Sequence, residues 1–298
     1  MPTSEAFDKL YEVFKTHRLS PDLGLETLRN EYNNLAVSFP PPDESNFKAV
    51  DAGGVRAEWV DVSESKSEAV LMYLHGGGYV MGTVEMYRDM TTRLAKAGKV
   101  RVLSVDYRLA PENKYPAALE DSVKVYKWLL NQGYRAEDII IGGDSAGGGL
   151  TLATLLKIRS LGLKMPAAAV CISPWTDLAL IGKSIDAKAE DDPILSRNLL
   201  KYFTDCYVGE EGDRCNPFVS PFYADLSGLP PLLIMVGERE ILLDDAIIFS
   251  QKAEYYGVKT TMVVAQGMTH IWAFFAPVIP EGEQAINYIG KFINKRLS

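Results

Sequence analysis

Ser145 is flanked at two residues' distance by glycine on both sides, in the stretch Ile139-Ile140-Ile141-Gly142-Gly143-Asp144-Ser145-Ala146-Gly147-Gly148-Gly149-Leu150. Three β-branched residues lead in and a helix-patterned segment follows, so the stretch reads as strand, tight turn and helix. Gly143, Ser145 and Gly147 in that setting fit the nucleophile elbow, where a strained backbone holds a serine hydroxyl clear of the strand end. A side chain at 143 or 147 would collide with the adjoining strand or helix as the chain reverses. A serine at its free pKa is a weak nucleophile, so a base must take its proton. The chain has three histidines, His17, His75 and His270. In chains that use an elbow the base follows the serine, which leaves His270, in Gln266-Gly267-Met268-Thr269-His270-Ile271-Trp272.

An imidazole acting as base needs a carboxylate to orient it and to stabilise its cation. Candidates follow the expected strand Leu232 to Val236, at Glu238, Glu240, Asp244 and Asp245. The two aspartates open a helix-patterned stretch and fit N-terminal capping and dipole compensation. Glu238 and Glu240 remain, and spacing does not choose between them. Developing negative charge on a reacting carbonyl needs donors that approach without side-chain obstruction. His75-Gly76-Gly77-Gly78-Tyr79 supplies such a glycine loop, and the residue after the nucleophile supplies another N–H, so Gly77, Gly78 and Ala146 are the expected oxyanion-hole donors. His75 fits a role in orienting that loop.

These groups have to be carried by a rigid frame. Buried strands are expected at Ala69 to Leu74, Val100 to Val105, Ala167 to Ile172, Leu232 to Val236 and Thr260 to Val264, with a more alternating strand at Val55 to Val62. Helices are expected at Glu85 to Ala97 and Ala117 to Leu130. Strands alternating with helices in this way predict a parallel sheet covered on both faces. Two segments fall outside the rhythm. Phe7, Leu10, Tyr11 and Phe14 mark a first helix and Leu23 to Leu35 a second, before Pro40-Pro41-Pro42. Roughly sixty residues separate the strand ending near Ile172 from the one opening at Leu232, far more than a crossover needs. Within them Ser196 to Tyr207 is helical, and the segment reads as a lid built together with the N-terminal helices. The expected organisation is residues 1–45 as N-terminal helices forming part of the lid, 46–176 and 221–298 as core, and 177–220 as lid insertion.

With 298 residues, 47% of them apolar, the chain can bury a large core, while a net charge of −8 and a pI near 5.1 give no footprint for nucleic acid or an anionic membrane. Cys171, Cys206 and Cys215 lack the spacing of a disulfide framework or a zinc site. No stretch has the length of a membrane span, and the first residues lack the basic head and apolar run of a signal peptide. A cytoplasmic protein is expected, with no membrane insertion, no nucleic-acid partner, and homodimer formation left open.

His75-Gly76-Gly77-Gly78, Asp106-Tyr107-Arg108-Leu109-Ala110-Pro111-Glu112 and Gly143-Asp144-Ser145-Ala146-Gly147-Gly148 together resemble the hormone-sensitive lipase family of α/β-hydrolases, in its bacterial carboxylesterase branch. The resemblance covers about residues 70 to 275. It implies an α/β-hydrolase fold, a mostly parallel eight-stranded sheet with helices on both faces and a helical lid. It also implies ester hydrolysis with no metal and no cofactor. Glu240-Ile241-Leu242-Leu243-Asp244-Asp245-Ala246 lies over the family's D-P-L-x-D-E-G pattern, so the resemblance implies Glu240 as the acid, with Glu in place of Asp and Ile241 in place of Pro. Glu238 stays the other candidate. Tyr107, Arg108 and Glu112 read as scaffold.

The implied activity is hydrolysis of short- to medium-chain carboxylic esters by Ser145, Glu240 and His270 through an acyl-enzyme. An amidase or peptidase on the same residues, or a hydrolase-like small-molecule receptor, is the alternative. With the lid aromatics Phe7, Tyr11, Phe14, Tyr202, Phe203 and Tyr207 expected to close the far end of the pocket, chain-length preference should peak near butyrate to hexanoate without interfacial activation.

Overall fold

The computed structural model describes residues 3–297. Eight strands form one sheet in the order β1-β2-β4-β3-β5-β6-β7-β8. They are β1 (Asn46–Asp51), β2 (Arg56–Asp61), β3 (Lys66–Leu74), β4 (Val100–Val105), β5 (Ile139–Asp144), β6 (Ala168–Ile172), β7 (Leu232–Gly237) and β8 (Thr260–Ala265). The pairs β1–β2 and β2–β4 are antiparallel, and every other pair is parallel. The parallel strands β5, β6 and β7 are buried at every residue, as expected of strands covered on both faces. Helix α5 (Ala146–Ser160) packs against β3, β5 and β6, α4 (Ala117–Asn131) packs on α5, and α3 (Arg88–Gly98) packs against β2 and β4. Two more follow, α8 (Leu243–Tyr255) and α9 (Pro280–Arg296). The sequence reading did not anticipate α9. Its Ile286, Ile289 and Ile293 are buried, and Gly290 lies so close to Ala97 of α3 that a Cβ there would have to displace it.

The expected strands agree with the observed ones to within a few residues. Helix α3 begins at Arg88, not Glu85, because the preceding residues are committed to tight turns. The Tyr87 N–H donates to the Val84 carbonyl at 3.2 Å and the Met86 N–H to the Thr83 hydroxyl at 3.2 Å.

Helices α1 (Glu5–Thr16) and α2 (Leu25–Ser38) precede the sheet, and α6 (Ser184–Ala187) and α7 (Arg197–Val208) lie between β6 and β7. Ser196 caps α7, its hydroxyl accepting from the Leu199 N–H at 3.2 Å. Both sets meet above the C-terminal ends of the strands. The Tyr11 hydroxyl donates to the Asp191 carbonyl at 3.1 Å, and the Arg18 guanidinium to the Asp192 carbonyl at 3.2 Å. Arg29 pins α2 to the core through two 2.7 Å bonds to Glu112 and further bonds to the Val80 and Ala110 carbonyls. Glu112, read as scaffold, is therefore an anchor for the N-terminal helices. Asp244 and Asp245 stand in the first turn of α8 but do not cap it: the N-cap is Leu242, and both carboxylates are turned to other loops. Asp244 accepts from the Ser184 N–H at 3.0 Å, and buried Asp245 accepts from the Thr176 and Asp177 N–H groups at 2.8 Å each. They clamp the start of the 177–220 segment to the core.

Candidate active site

The elbow forms as its glycines require. Ser145 is the N-cap of α5 with φ 52° and ψ −122°, a region that residues bearing a Cβ rarely adopt. It is held there from both sides, its N–H donating to the Ile172 carbonyl at 2.8 Å and its carbonyl accepting from the Trp175 N–H at 3.0 Å. A side chain at Gly147 would strike the Leu74 and His75 carbonyls, so only glycine lets α5 start this close to β3.

The Ser145 hydroxyl lies 2.9 Å from Nε2 of His270, and Nδ1 of His270 lies 2.8 Å from Glu240 Oε2. A carboxylate only accepts, so Nδ1 carries the proton toward Glu240, and Nε2 of the neutral ring is left to accept from the serine hydroxyl. All three residues are buried, Ser145 at 8% exposure, His270 at 2% and Glu240 at 0%. Burial disfavours the imidazolium, but the charge and hydrogen bond of Glu240, with Asp192 and Asp144 adding to them, outweigh it. His270 is therefore held above its ordinary value of 6.5.

Glu240 is aimed by its own turn. Its Oε1 accepts from the Gly237 N–H at 2.5 Å and from the Ser173 hydroxyl at 2.6 Å, while the Ser173 hydroxyl accepts from the Ile271 N–H at 3.1 Å. Glu238, the other sequence candidate, points elsewhere. It accepts from the Gly267 N–H at 3.0 Å, and that bond with one from Gln266 holds its carboxyl below the usual range. Ser173 and Asp192 were missed by the sequence reading. Asp192 is fully buried and accepts from the Ile194, Leu195 and Ile241 N–H groups at 2.9, 3.0 and 2.9 Å, tying the lead-in to α7 to the residue after Glu240. The position of Ser173 just past the end of β6 was the one clue available to the sequence.

The glycine loop stands beside Ser145. Gly77 and Gly78 have φ values of 108° and 63° and line a cavity with Ser145 and His270. Ala146 opens α5, so its N–H has no acceptor within the helix. Beneath the loop, the Gly76 N–H donates to Asp144 at 3.0 Å, and the Tyr73 and Tyr87 hydroxyls donate to the same carboxylate at 2.8 Å each. Burial pushes Asp144 up to about 6 against those hydrogen bonds. His75 is buried, stacks on Tyr107 at 4.3 Å, and is held below its ordinary value by burial. That keeps it neutral within the loop's support.

The α/β-hydrolase fold family matches residues 71–274. The chain belongs to that family, in its bacterial hormone-sensitive lipase branch. A crystal structure of an esterase from the bacterial hormone-sensitive lipase family superposes with a TM-score of 0.96 at 40% identity, covering 100% of both chains. EstE5 soaked with p-nitrophenyl butyrate superposes at 0.95 with 40% identity over 99% of each chain. An acetyl-hydrolase of Streptomyces hygroscopicus is 39% identical over 91% of this chain and 88% of its own length, and an esterase of Acinetobacter venetianus is 35% identical over 91% and 89%.

Of the lid aromatics expected to close the pocket, Phe203 is the one among the described residues that reaches the cavity at Ser145. Tyr207 instead stacks on Tyr79 at 3.9 Å, Tyr11 lies under Arg239, and Phe14 packs on Phe275 at 5.0 Å in the wall of a larger neighbouring cavity. Aliphatic residues of α7 and its lead-in line the cavity at Ser145.

Proposed function

We propose that this chain is a serine carboxylesterase acting on short- to medium-chain carboxylic esters, with Ser145 as nucleophile, His270 as general base and acid, and Glu240 as the acid that orients it. The observation that carries the reading is the continuous bonding from Ser145 through His270 to Glu240. Ser145 attacks the ester carbonyl as His270 takes its proton. The oxyanion is met by the N–H groups of Gly77, Gly78 and Ala146, and His270 returns the proton to the departing alcohol. Water then repeats the sequence on the acyl-enzyme. The esterase and acetyl-hydrolase relatives support ester hydrolysis over amide or peptide cleavage, and the presence of both Ser145 and His270 weighs against a receptor that has lost turnover.

We read residues 1–45 and 177–220 together as the lid over this site, and 46–176 with 221–298 as the core. Among the described residues no helix is long and apolar enough to cross a membrane. Cys171, Cys206 and Cys215 are free thiols, which supports a cytoplasmic setting. We expect neither nucleic acid nor a membrane as partner.

The test is an aryl ester assayed beside its matching anilide. Turnover of the ester at least a hundredfold above the anilide is the expected outcome, and the reverse preference would make the protein an amidase. The base must be neutral to act, so kcat/KM should fall as pH drops through the raised pKa of His270. The acid-side inflection is expected above 6.5, and an inflection below that value would mean that burial outweighs the neighbouring carboxylates at His270.

A further inference from the structure

Two cavities meet at the candidate site, and their sizes differ by more than tenfold. The inner one, about 40 Å³, is the cavity that Ser145, Gly77, Gly78 and His270 line; its remaining walls include Trp175, Leu199, Leu200 and Phe203. The outer one, about 540 Å³, lies between α1, α2 and the turn after His270 and is walled by Phe14, Leu23, Met86, Phe274 and Phe275. Leu19, Tyr32, Ile194 and Ile271 line both. They form a neck joining a small chamber at the nucleophile to a large apolar one beyond it.

A reacting carbonyl has to lie within reach of Ser145 and the glycine loop, hence in the inner chamber. One water needs at least ~10–15 Å³ of such space, so the chamber has room for about three non-hydrogen atoms, the size of an acetyl group. The other half of the ester must leave through the neck. Chemistry decides which half this is. His270 Nε2 has to hand its proton to the leaving oxygen, so the alcohol lies on the histidine side. The outer chamber is walled by the residues that directly follow His270, namely Ile271, Phe274 and Phe275. The walls unique to the small chamber are Ser145 and His270 themselves, Leu195 and α7, Trp175, Met81 and the glycine loop, and the acyl group left bound to Ser145 lies among them. Departure of the alcohol then empties the larger chamber and opens a path for the water that completes the cycle.

We propose that the substrates of this esterase are acetate-sized esters of large apolar alcohols, with Leu199, Leu200 and Phe203 limiting the acyl group and the cavity between α1, α2 and Phe275 holding the alcohol. This rests on the esterase reading above and moves the acyl optimum below the butyrate-to-hexanoate range expected from sequence. His17, Arg18, Glu31 and Asn34 also line the outer cavity, where they offer partners to a polar group on the alcohol.

Two substrate series test it. With p-nitrophenol as fixed alcohol, kcat/KM should fall at least tenfold from acetate to hexanoate. With acetate as fixed acyl group, it should rise at least tenfold from ethyl to hexyl, since each buried methylene is worth roughly fourfold. Leu200→Ala, with Leu199→Ala as a second variant should the first fail to fold, should lower the acetate-to-hexanoate ratio about fivefold by enlarging the inner chamber. Leu23→Trp, at a half-exposed position on the outer wall, should lower the hexyl-to-ethyl ratio instead. A rise with acyl length beside a flat alkyl acetate series would overturn the assignment while leaving the protein an esterase. Absence of hydrolysis in both series by the unaltered enzyme would remove the esterase reading, and this one with it.

Discussion

Ser145→Ala is expected to lower kcat on p-nitrophenyl acetate by on the order of a thousandfold or more while the protein stays folded, as knockouts of serine-hydrolase nucleophiles do. The change deletes one oxygen, whose bond is to His270, and leaves the backbone held by Ile172 and Trp175. Circular dichroism and Tm should therefore match the parent to within a few degrees. Activity within tenfold of the parent, in folded protein, would remove Ser145 from the chemistry. A drop in activity accompanied by a large fall in Tm would instead point to a damaged elbow, and the assay would then be repeated with Ser145→Gly, which also relieves the positive φ.

The second large effect is expected at Glu240. Glu240→Gln should lower kcat by about three to four orders of magnitude, because an amide in place of the carboxylate neither fixes the Nδ1 proton nor balances the imidazolium formed in the transition state. The loss should fall on kcat with KM little changed, since the group does not touch the substrate. Glu238→Gln should cost less than threefold, as its carboxylate is bonded to the Gly267 N–H and is partly exposed. Ser173→Ala should fall between the two, because Glu240 keeps the Gly237 bond when the hydroxyl is lost. If Glu238→Gln proved the more damaging of the pair, the acid would have to be Glu238, and His270 would have to turn away from the orientation described.

The two glutamates illustrate how far local chemistry carries. They are two residues apart in one turn, have the same side chain, and differ only in where that turn aims them. The deciding bonds come from Gly237, Ser173 and Gly267, two of which lie on other loops. Asp192 makes the same point, accepting from the N–H of Ile241 49 positions further along the chain. Neither partner can be paired from a list of spacings, because a loop's conformation depends on what packs against it. The 177–220 segment was legible as an insertion containing a helix, but which of its side chains faced Ser145 was not. Amphipathic spacing gives a helix its buried face, and both Phe203 and Tyr207 are buried on α7; only the docking of α7 put Phe203 against Gly78 and Tyr207 against Tyr79.

What the sequence by itself determined was whatever depends on sterics within a few residues or on period. The elbow at Ser145, the glycine loop at 76–78, the parallel strands and the choice of His270 as the candidate base all follow from local backbone freedom, hydrophobic repeat and the short supply of histidines. Tertiary structure decided what depends on convergence: that Glu240 and not Glu238 bonds His270, the support of Ser173 and Asp192, and two unequal cavities that share Leu19, Tyr32, Ile194 and Ile271 in their walls. A cavity is the space left between elements packed from distant parts of the chain, here from α1, α2, α7 and the turn after His270. Its volume is set by their relative placement, which no single segment encodes.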